Sequence, residues 1–398
     1  MIITEIRIRR IEGTLPTTAP LWEERLVRPI DVYPEYRDRD DFEGGVQRAD
    51  GFDIVTFFVE VHTDAGLVGR GGPITEGVAS IIARELRPHL LGTDPIAGEQ
   101  IWDRLHRSQV HGRQGAAMLA ISAVDCALWD LRGIWLNAPV YRLLGGPTRE
   151  AVPAYASMLG FDVLDPERVA DRAIEYRDLG YSGQKWFFRH GPASGQHGMR
   201  KNVELVRTLR ETLGDDVDLM FDCWQSMDVS YATELASRIE AYRPRWLEEV
   251  AMPDRVDSYT QIRARTRIPL AGAEHEYTRW GFQRFLQAGA LDVVQPDIYW
   301  CGGITETLKI AALASAYDVS VIPHGHSAAA TLHVSLAQSP SLMPMQEDLV
   351  IWNRVHQYFL ADPVNPVDGL LRPNDRPGLG MELNPSRFTR DDVWFPAD

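Results

Sequence analysis

LMFDCW at 219–224, RWLEEV at 245–250, AGAEHE at 271–276, VVQPD at 293–297 and VIPHGH at 321–326 share one design. Each is a short apolar run that ends in an acid or a histidine. The steps between the polar ends are regular: Asp222, Glu248, Glu274, Asp297 and His324 lie 23 to 27 residues apart. That interval is about one strand plus one helix and two short loops.

Working outward, further apolar runs fit the same frame. The full set is Ala154–Met158, Gln184–Phe188, Leu219–Cys223, Trp246–Val250, Leu270–Glu274, Asp292–Pro296, Ser320–Pro323 and Leu342–Met345. Amphipathic stretches lie between them, at Pro166–Leu179, Lys201–Leu213, Val229–Glu240 and Thr305–Ala316. Eight strands alternating with helices predict an α/β fold, a parallel (β/α)8 TIM-type barrel, over residues 151–355. Residues 1–150 have another texture. Ile2–Ile11, Phe52–His62 and Leu67–Gly71 read as strands, and helical patterns run near Gly77–Leu91 and Ala116–Leu131. This predicts an N-terminal α+β capping domain, with a Pro-, Arg- and acid-rich loop over 15–50 and an exit at PVYRLLGG (139–146). Residues 356–398, rich in Pro and Gly from Phe359 onward, are expected to pack back and complete the cap.

The chain has 398 residues, 44% hydrophobic and 24% charged, enough for one large and one smaller domain. Its 41 basic and 56 acidic residues give a net charge of −15 without a basic stripe, which argues against nucleic acid as a partner. Cys126, Cys223 and Cys301 form no C-x-x-C pair, so neither a disulfide framework nor a zinc ribbon is expected. With no apolar run long enough to span a membrane and no signal-like N-terminus, the expected compartment is the cytoplasm.

In such a barrel the functional groups stand at the C-terminal strand ends. Asp222, Glu248 and Glu274 then face one pocket from three successive strands. Three bare carboxylates repel one another and lose hydration there. A hard divalent cation with oxygen ligands, Mg²⁺, resolves the conflict, so these three are the candidate metal ligands. His324, with Asp297 one strand earlier, suits a general acid/base whose tautomer is held by a carboxylate. Lys185, at the end of the second strand, is a candidate to contact a substrate carboxylate, to pair with an acid, or to act as a second base. Glu347 and His326 are candidate substrate contacts. A zinc hydrolase built on His324, His326 and His333 is disfavoured, because only His324 falls clearly on a strand end.

These residues resemble the enolase superfamily, and within it the mandelate racemase subgroup. The resemblance rests on AVDCALWDLRG (123–133), PVYRLLGG (139–146), Asp222, Glu248-Glu249, GAEH (272–275), QPD (295–297), CGGITE (301–306), PHG (323–325) and PGLG (377–380). LMFDCWQSMDVSYATELA (219–236) and QPDIYWCGGITE (295–306) look especially like L-rhamnonate dehydratases. The resemblance implies a Mg²⁺-dependent acid-sugar dehydratase, homo-oligomeric as is common in the subgroup, with a His-Asp dyad at His324 and Asp297. Two features depart from the pattern. Many subgroup members carry Lys-x-Lys at the second strand end; here it reads Lys185-Trp186-Phe187, which argues against a two-base racemase using Lys. Rhamnonate dehydratases also place a His and an Arg in the capping loop. The loop here, WEERLVRPIDVYPEYRDRD (22–40), has no His, leaving Arg25 and Arg28 as candidate contacts.

Overall fold

The computed structural model describes residues 1–37, 39 and 45–396, so part of the loop expected over 15–50, and the last two residues of the C-terminal segment, lie outside the described residues. The N-terminal strands are β1 (Ile3–Pro16), β2 (Gly45–Gln47), β3 (Gly51–Thr63) and β4 (Val68–Ile74). β3 lies between β1 and β2 and also pairs with β4, all antiparallel. Helix Ala116–Trp135 packs on β3 and β4. It is apolar on nearly every face, as a helix wedged between two layers must be. Close approach needs glycine on the strand: a Cβ at Gly69 would stand 2.2 Å from the Ala127 carbonyl oxygen, and one at Gly71 2.2 Å from that of Ala123.

The parallel strands are β5 (Val152–Ser157), β6 (Gly183–Phe187), β7 (Asp218–Asp222), β8 (Trp246–Glu248), β9 (Leu270–Gly272), β10 (Val293–Val294), β11 (Ser320–Val321) and β12 (Gln346–Leu349). They run in the order β11-β10-β9-β8-β7-β6-β5-β12. Helices Pro166–Asp178, Gly195–Leu213, Val229–Ile239, Val256–Arg263, Thr278–Ala288, Gly303–Ser315 and Ala328–Ala337 make the crossovers. The sheet curls. Its two ends approach where Val321 N–H donates to the Leu342 carbonyl at 2.8 Å. Tyr155, Met220, Trp246, Ala271, Ile322 and Met345 form an apolar plug inside the curl. β13 (Leu370–Leu371) then pairs antiparallel with β5, and β14 (Arg390–Trp394) pairs antiparallel with β1.

One strand expectation needs correction. The eighth strand is Gln346–Leu349, not Leu342–Met345. The apolar LMPM run enters the core, whereas three of the four residues that pair with β5, Gln346, Glu347 and Asp348, are polar and buried. Helices Gly98–Ser108, Val256–Arg263, Thr278–Ala288 and Ala328–Ala337 add to those expected. Among the described residues, no helix is long and apolar enough to cross a membrane.

The two layers are latched by buried acids. Asp125 accepts from Thr305 N–H at 2.9 Å, and Asp130 accepts from Arg70 N–H at 2.8 Å and Leu379 N–H at 2.7 Å. Gly302 N–H donates to Ser122 Oγ, and Trp129 Nε1 to Thr305 Oγ1. The motifs at 123–133 and 301–306 are thus two halves of one joint. Burial pushes the Asp125 carboxyl up to about 7 and that of Asp130 to about 6.

Candidate active site

Period-two alternation decides which polar groups stand over the plug. Asp222 follows Met220 by two residues and Glu248 follows Trp246 by two, so both side chains share the plug's inward face. Lys185 pairs in register with Met220 and shares that face too. Glu274 lies three residues past Ala271, and the left-handed turn at Ala273 (φ 74°) carries it back toward the site. Positive φ also occurs at Trp224, Gln225 and Glu249. Left-handed backbone thus recurs just past the ends of β7, β8 and β9, where the acids are aimed.

Asp222, Glu248, Glu249, Glu274, Asp297 and Glu347 are all buried. Lys185, 3% exposed, is the cation set among them. Its Nζ bonds Glu248, lies 2.8 Å from Glu347 Oε1 and 3.7 Å from Asp222 Oδ2. Burial works to remove its proton, but Glu248 and Glu347 hold it on and raise its pKa well above the usual range. Of the three roles read for Lys185, pairing with acids is the one the geometry displays. Glu248 is held further by Trp246 Nε1 at 2.9 Å and Gln295 Nε2 at 2.8 Å. Glu347, fully buried, also accepts from Gly325 N–H at 2.9 Å, which ties β12 to the turn carrying His324.

On the facing side, His324 Nδ1 lies 2.8 Å from Asp297 Oδ2. The other Asp297 oxygen accepts from Tyr299 N–H at 2.8 Å and fixes the turn after β10. His324 Nε2 is 3.8 Å from Glu274 Oε2. Burial alone would lower the His324 pKa; the Glu274 charge and the Asp297 hydrogen bond outweigh it and raise it to about 10. His275 bonds Glu249 Oε2 through Nδ1 at 2.9 Å and is raised to about 9, its burial outweighed by Glu249 and Glu274. Trp300 lies among three imidazoles, with ring centroids 4.8 Å from His324, 5.3 Å from His275 and 5.5 Å from His326.

The acids suit a hard cation. Burial, reinforced by neighbouring acids against the pull of Lys185, drives the Asp222 carboxyl well up, and burial drives that of Glu274 to about 7. Among the described residues, Glu249 Oε1 and Glu274 Oε2 are buried without a hydrogen-bond partner. Oxygen donors left short of partners fit Mg²⁺. Among the described residues, the set whose ligand atoms already lie within 4.8 Å of one another is Glu249, Glu274 and His275. Asp222 and Glu248 are instead drawn toward Lys185. Glu249 and His275 stand in the quoted motifs EE and GAEH, but neither was assigned a role from sequence.

Lys185, Asp222, Glu274, His275, Trp300 and His324 line a cavity of about 870 Å³ between the curled sheet and the capping layer, with Glu248, Glu249, Asp297 and Glu347 buried behind its wall. Arg25 and Arg28 reach it from the capping loop. Arg25 pairs with Asp31 at 2.8 Å and donates to the carbonyls of Leu26, Tyr36 and Arg37; Arg28 donates to those of Tyr36 and Arg39. Both guanidinium groups brace the loop's own backbone. His326 lines the cavity as well. His333 lies away from it, its Nδ1 accepting from Tyr141 N–H at 3.1 Å.

Two family models match the chain: "Mandelate racemase / muconate lactonizing enzyme, N-terminal domain" over residues 53–145 and "Enolase C-terminal domain-like" over 168–387. An L-rhamnonate dehydratase of Saccharopolyspora erythraea is 38% identical over 374 residues, covering 91% of this chain and 90% of that protein. The rhamnonate dehydratase structure from Gibberella zeae complexed with Mg is 31% identical with a TM-score of 0.83, covering 97% of this chain and 95% of that one. A racemase from Streptomyces coelicolor A3(2) with bound magnesium is 28% identical with a TM-score of 0.79, covering 97% of this chain and 99% of that one. With both halves matched in their expected order, and Asp222, Glu274 and His324 lining one cavity, the chain belongs to the mandelate racemase/muconate lactonizing enzyme family of the enolase superfamily.

Proposed function

We propose that this enzyme is a Mg²⁺-dependent dehydratase of a sugar acid, working at the mouth of a (β/α)8 barrel whose cap is completed by the C-terminal segment. The observation that carries the reading is His324, held by the buried Asp297, lining one cavity together with the carboxylates of Asp222 and Glu274. The dehydratases among the relatives support it.

Asp222, Glu248 and Glu274 would hold the ion, with Glu249 behind them through His275. A bound dication stabilises the negative charge that grows on the substrate carboxylate when the adjacent proton leaves. His324 takes the C2 proton at Nε2, because Asp297 holds Nδ1. For that it must begin neutral. The Glu274 charge is the largest of the interactions keeping its proton on, and a cation held by Glu274 would weaken that hold. The C2–H electrons pass into the enediolate, and the C3–O bond then breaks. His324 returns its proton to the departing hydroxyl, which leaves as water, and the enol tautomerises to a 2-keto-3-deoxy acid. Proton removal and return by one residue favour syn elimination. Lys185 keeps the acids compensated between turnovers.

A second reading is epimerisation, with His275 as the opposing base; its ring lies on the same Trp300 as that of His324. The test is a screen of the protein with Mg²⁺ against aldonic and aldaric acids in D2O, reading 2-keto acid with semicarbazide and deuterium at C2 by NMR. 2-Keto acid formation supports dehydration. Deuterium incorporation with inversion at C2 and no keto acid supports epimerisation and refutes dehydration.

A further inference from the structure

Beyond Trp300, away from His324, lie two more imidazoles. His326 follows β11, and His356 ends the helix Trp352–His356 that follows β12. Their ring centroids are 4.3 Å apart. Both line the cavity. Trp352 stacks on His356 at 5.4 Å, and Tyr299 meets His326 edge-on at 6.2 Å. Among the described residues, Nδ1 of each histidine is buried without a hydrogen-bond partner. A buried, unmatched imidazole nitrogen costs stability, and two in contact cost more, unless a ligand satisfies them.

We propose that His326 and His356 form the subsite for the distal hydroxyls of the substrate, and so set the length of polyhydroxy acid that the enzyme accepts. This rests on the sugar-acid reading of the site. Three observations support it. Centroid spacings of 4.8 Å from His324 to Trp300, 5.5 Å from Trp300 to His326 and 4.3 Å from His326 to His356 join the pair to the proton-abstracting group through one indole, and all four rings line the same cavity. Burial lowers the pKa of both rings, with His324 adding to it in each case, so both are neutral at physiological pH. A neutral imidazole offers one donor and one acceptor, which matches the donor-and-acceptor character of a hydroxyl. Finally, the indoles of Trp300 and Trp352 flank the pair, giving flat apolar surfaces for the C–H faces of a sugar chain. The capping loop brings no histidine, and Arg25 and Arg28, its two arginines at the cavity, brace its own backbone, which turns recognition of the chain's far end toward the barrel side.

The test measures binding to the Mg²⁺-loaded protein by calorimetry, for six-carbon aldonates and their four-carbon analogues, in wild type, His326→Phe, His356→Phe and His356→Gln. Turnover is read alongside. Wild type should prefer the six-carbon acid. Each Phe variant should lower that preference about tenfold, the worth of one lost hydrogen bond of about 1.4 kcal/mol, and Gln should recover part of it. Retention of the wild-type preference in folded Phe variants, or no chain-length preference in wild type, overturns the proposal. Lost preference in variants of a protein that forms no 2-keto acid would uphold the subsite and refute the dehydratase reading. The two failures are therefore separable, and His326→Phe provides the check if His356→Phe does not fold.

Discussion

Lys185→Met removes the one ammonium set among Glu248, Glu347 and Asp222 while keeping most of the side chain's volume. At an effective dielectric constant of about 20, Coulomb's law gives an attraction of about 6 kcal/mol for the 2.8 Å contact with Glu347. Desolvation of a side chain only 3% exposed offsets much of this. What remains on removal is the penalty of uncompensated buried acids, about 3–5 kcal/mol. The loss should appear as a lowered unfolding temperature in EDTA. Saturating Mg²⁺ should recover more stability for the variant than for wild type, because the ion then supplies the missing positive charge. The assay is a thermal melt of both proteins, with and without Mg²⁺, followed by circular dichroism. Equal melting temperatures in EDTA would refute the claim that Lys185 compensates the acids. A loss that Mg²⁺ does not reduce would refute the claim that those acids face the metal.

The dyad predicts that His324→Asn lowers kcat by about 10²–10⁴-fold, the usual worth of a positioned acid/base, while Mg²⁺ affinity by calorimetry changes little; near-normal turnover would remove His324 from the mechanism. Glu274→Gln should weaken Mg²⁺ binding and, with the largest interaction holding the His324 proton gone, lower the His324 pKa seen by NMR in the metal-free protein; an unchanged imidazole titration would contradict the 3.8 Å geometry. Asp125 is raised from 3.8 to about 7 in the folded chain, so the unfolded chain releases this proton first and stability falls as pH rises from about 4 to about 7. Asp125→Asn should flatten that part of the urea-midpoint profile, and a profile as steep as wild type would show that Asp125 does not titrate there.

The alternation of β7 and β8 was readable because apolar residues plug the curl and the polar group follows two positions later. Asp222 and Glu248 are legible for that reason. Glu274 was legible by spacing alone; the left-handed turn at Ala273 that aims it has no hydrophobic signature. The eighth strand was misplaced because Gln346, Glu347 and Asp348 are buried yet polar. Gln346 bonds the Ala328 carbonyl, Glu347 faces Lys185, and Asp348 accepts from Tyr181 and Asn353. Hydrophobicity marks what a strand buries against oil, and this strand buries itself against polar partners. His356 left no trace in the sequence, because its position in the cavity depends on how a short helix after β12 is set. The capping loop was legible as a loop, but the bracing by Arg25 and Arg28 depends on backbone carbonyls that no side-chain pattern reveals.

The pairing of β14 with β1 has a consequence for how the molecule is made. The sheet that roofs the cavity begins with residues 3–16 and gains its edge strand only from residues 390–394. A ribosome adds about 5–20 residues per second, so the first strands wait tens of seconds for their last neighbour. Throughout that interval one edge of β1 is a bare row of backbone donors and acceptors, open to pairing with another nascent chain. The barrel strands emerge in spatial order and can assemble as they appear, whereas the roof is closed last. A stop codon that spared every active-site residue but removed β14 would leave the chemistry intact on paper and an adhesive edge in the cell.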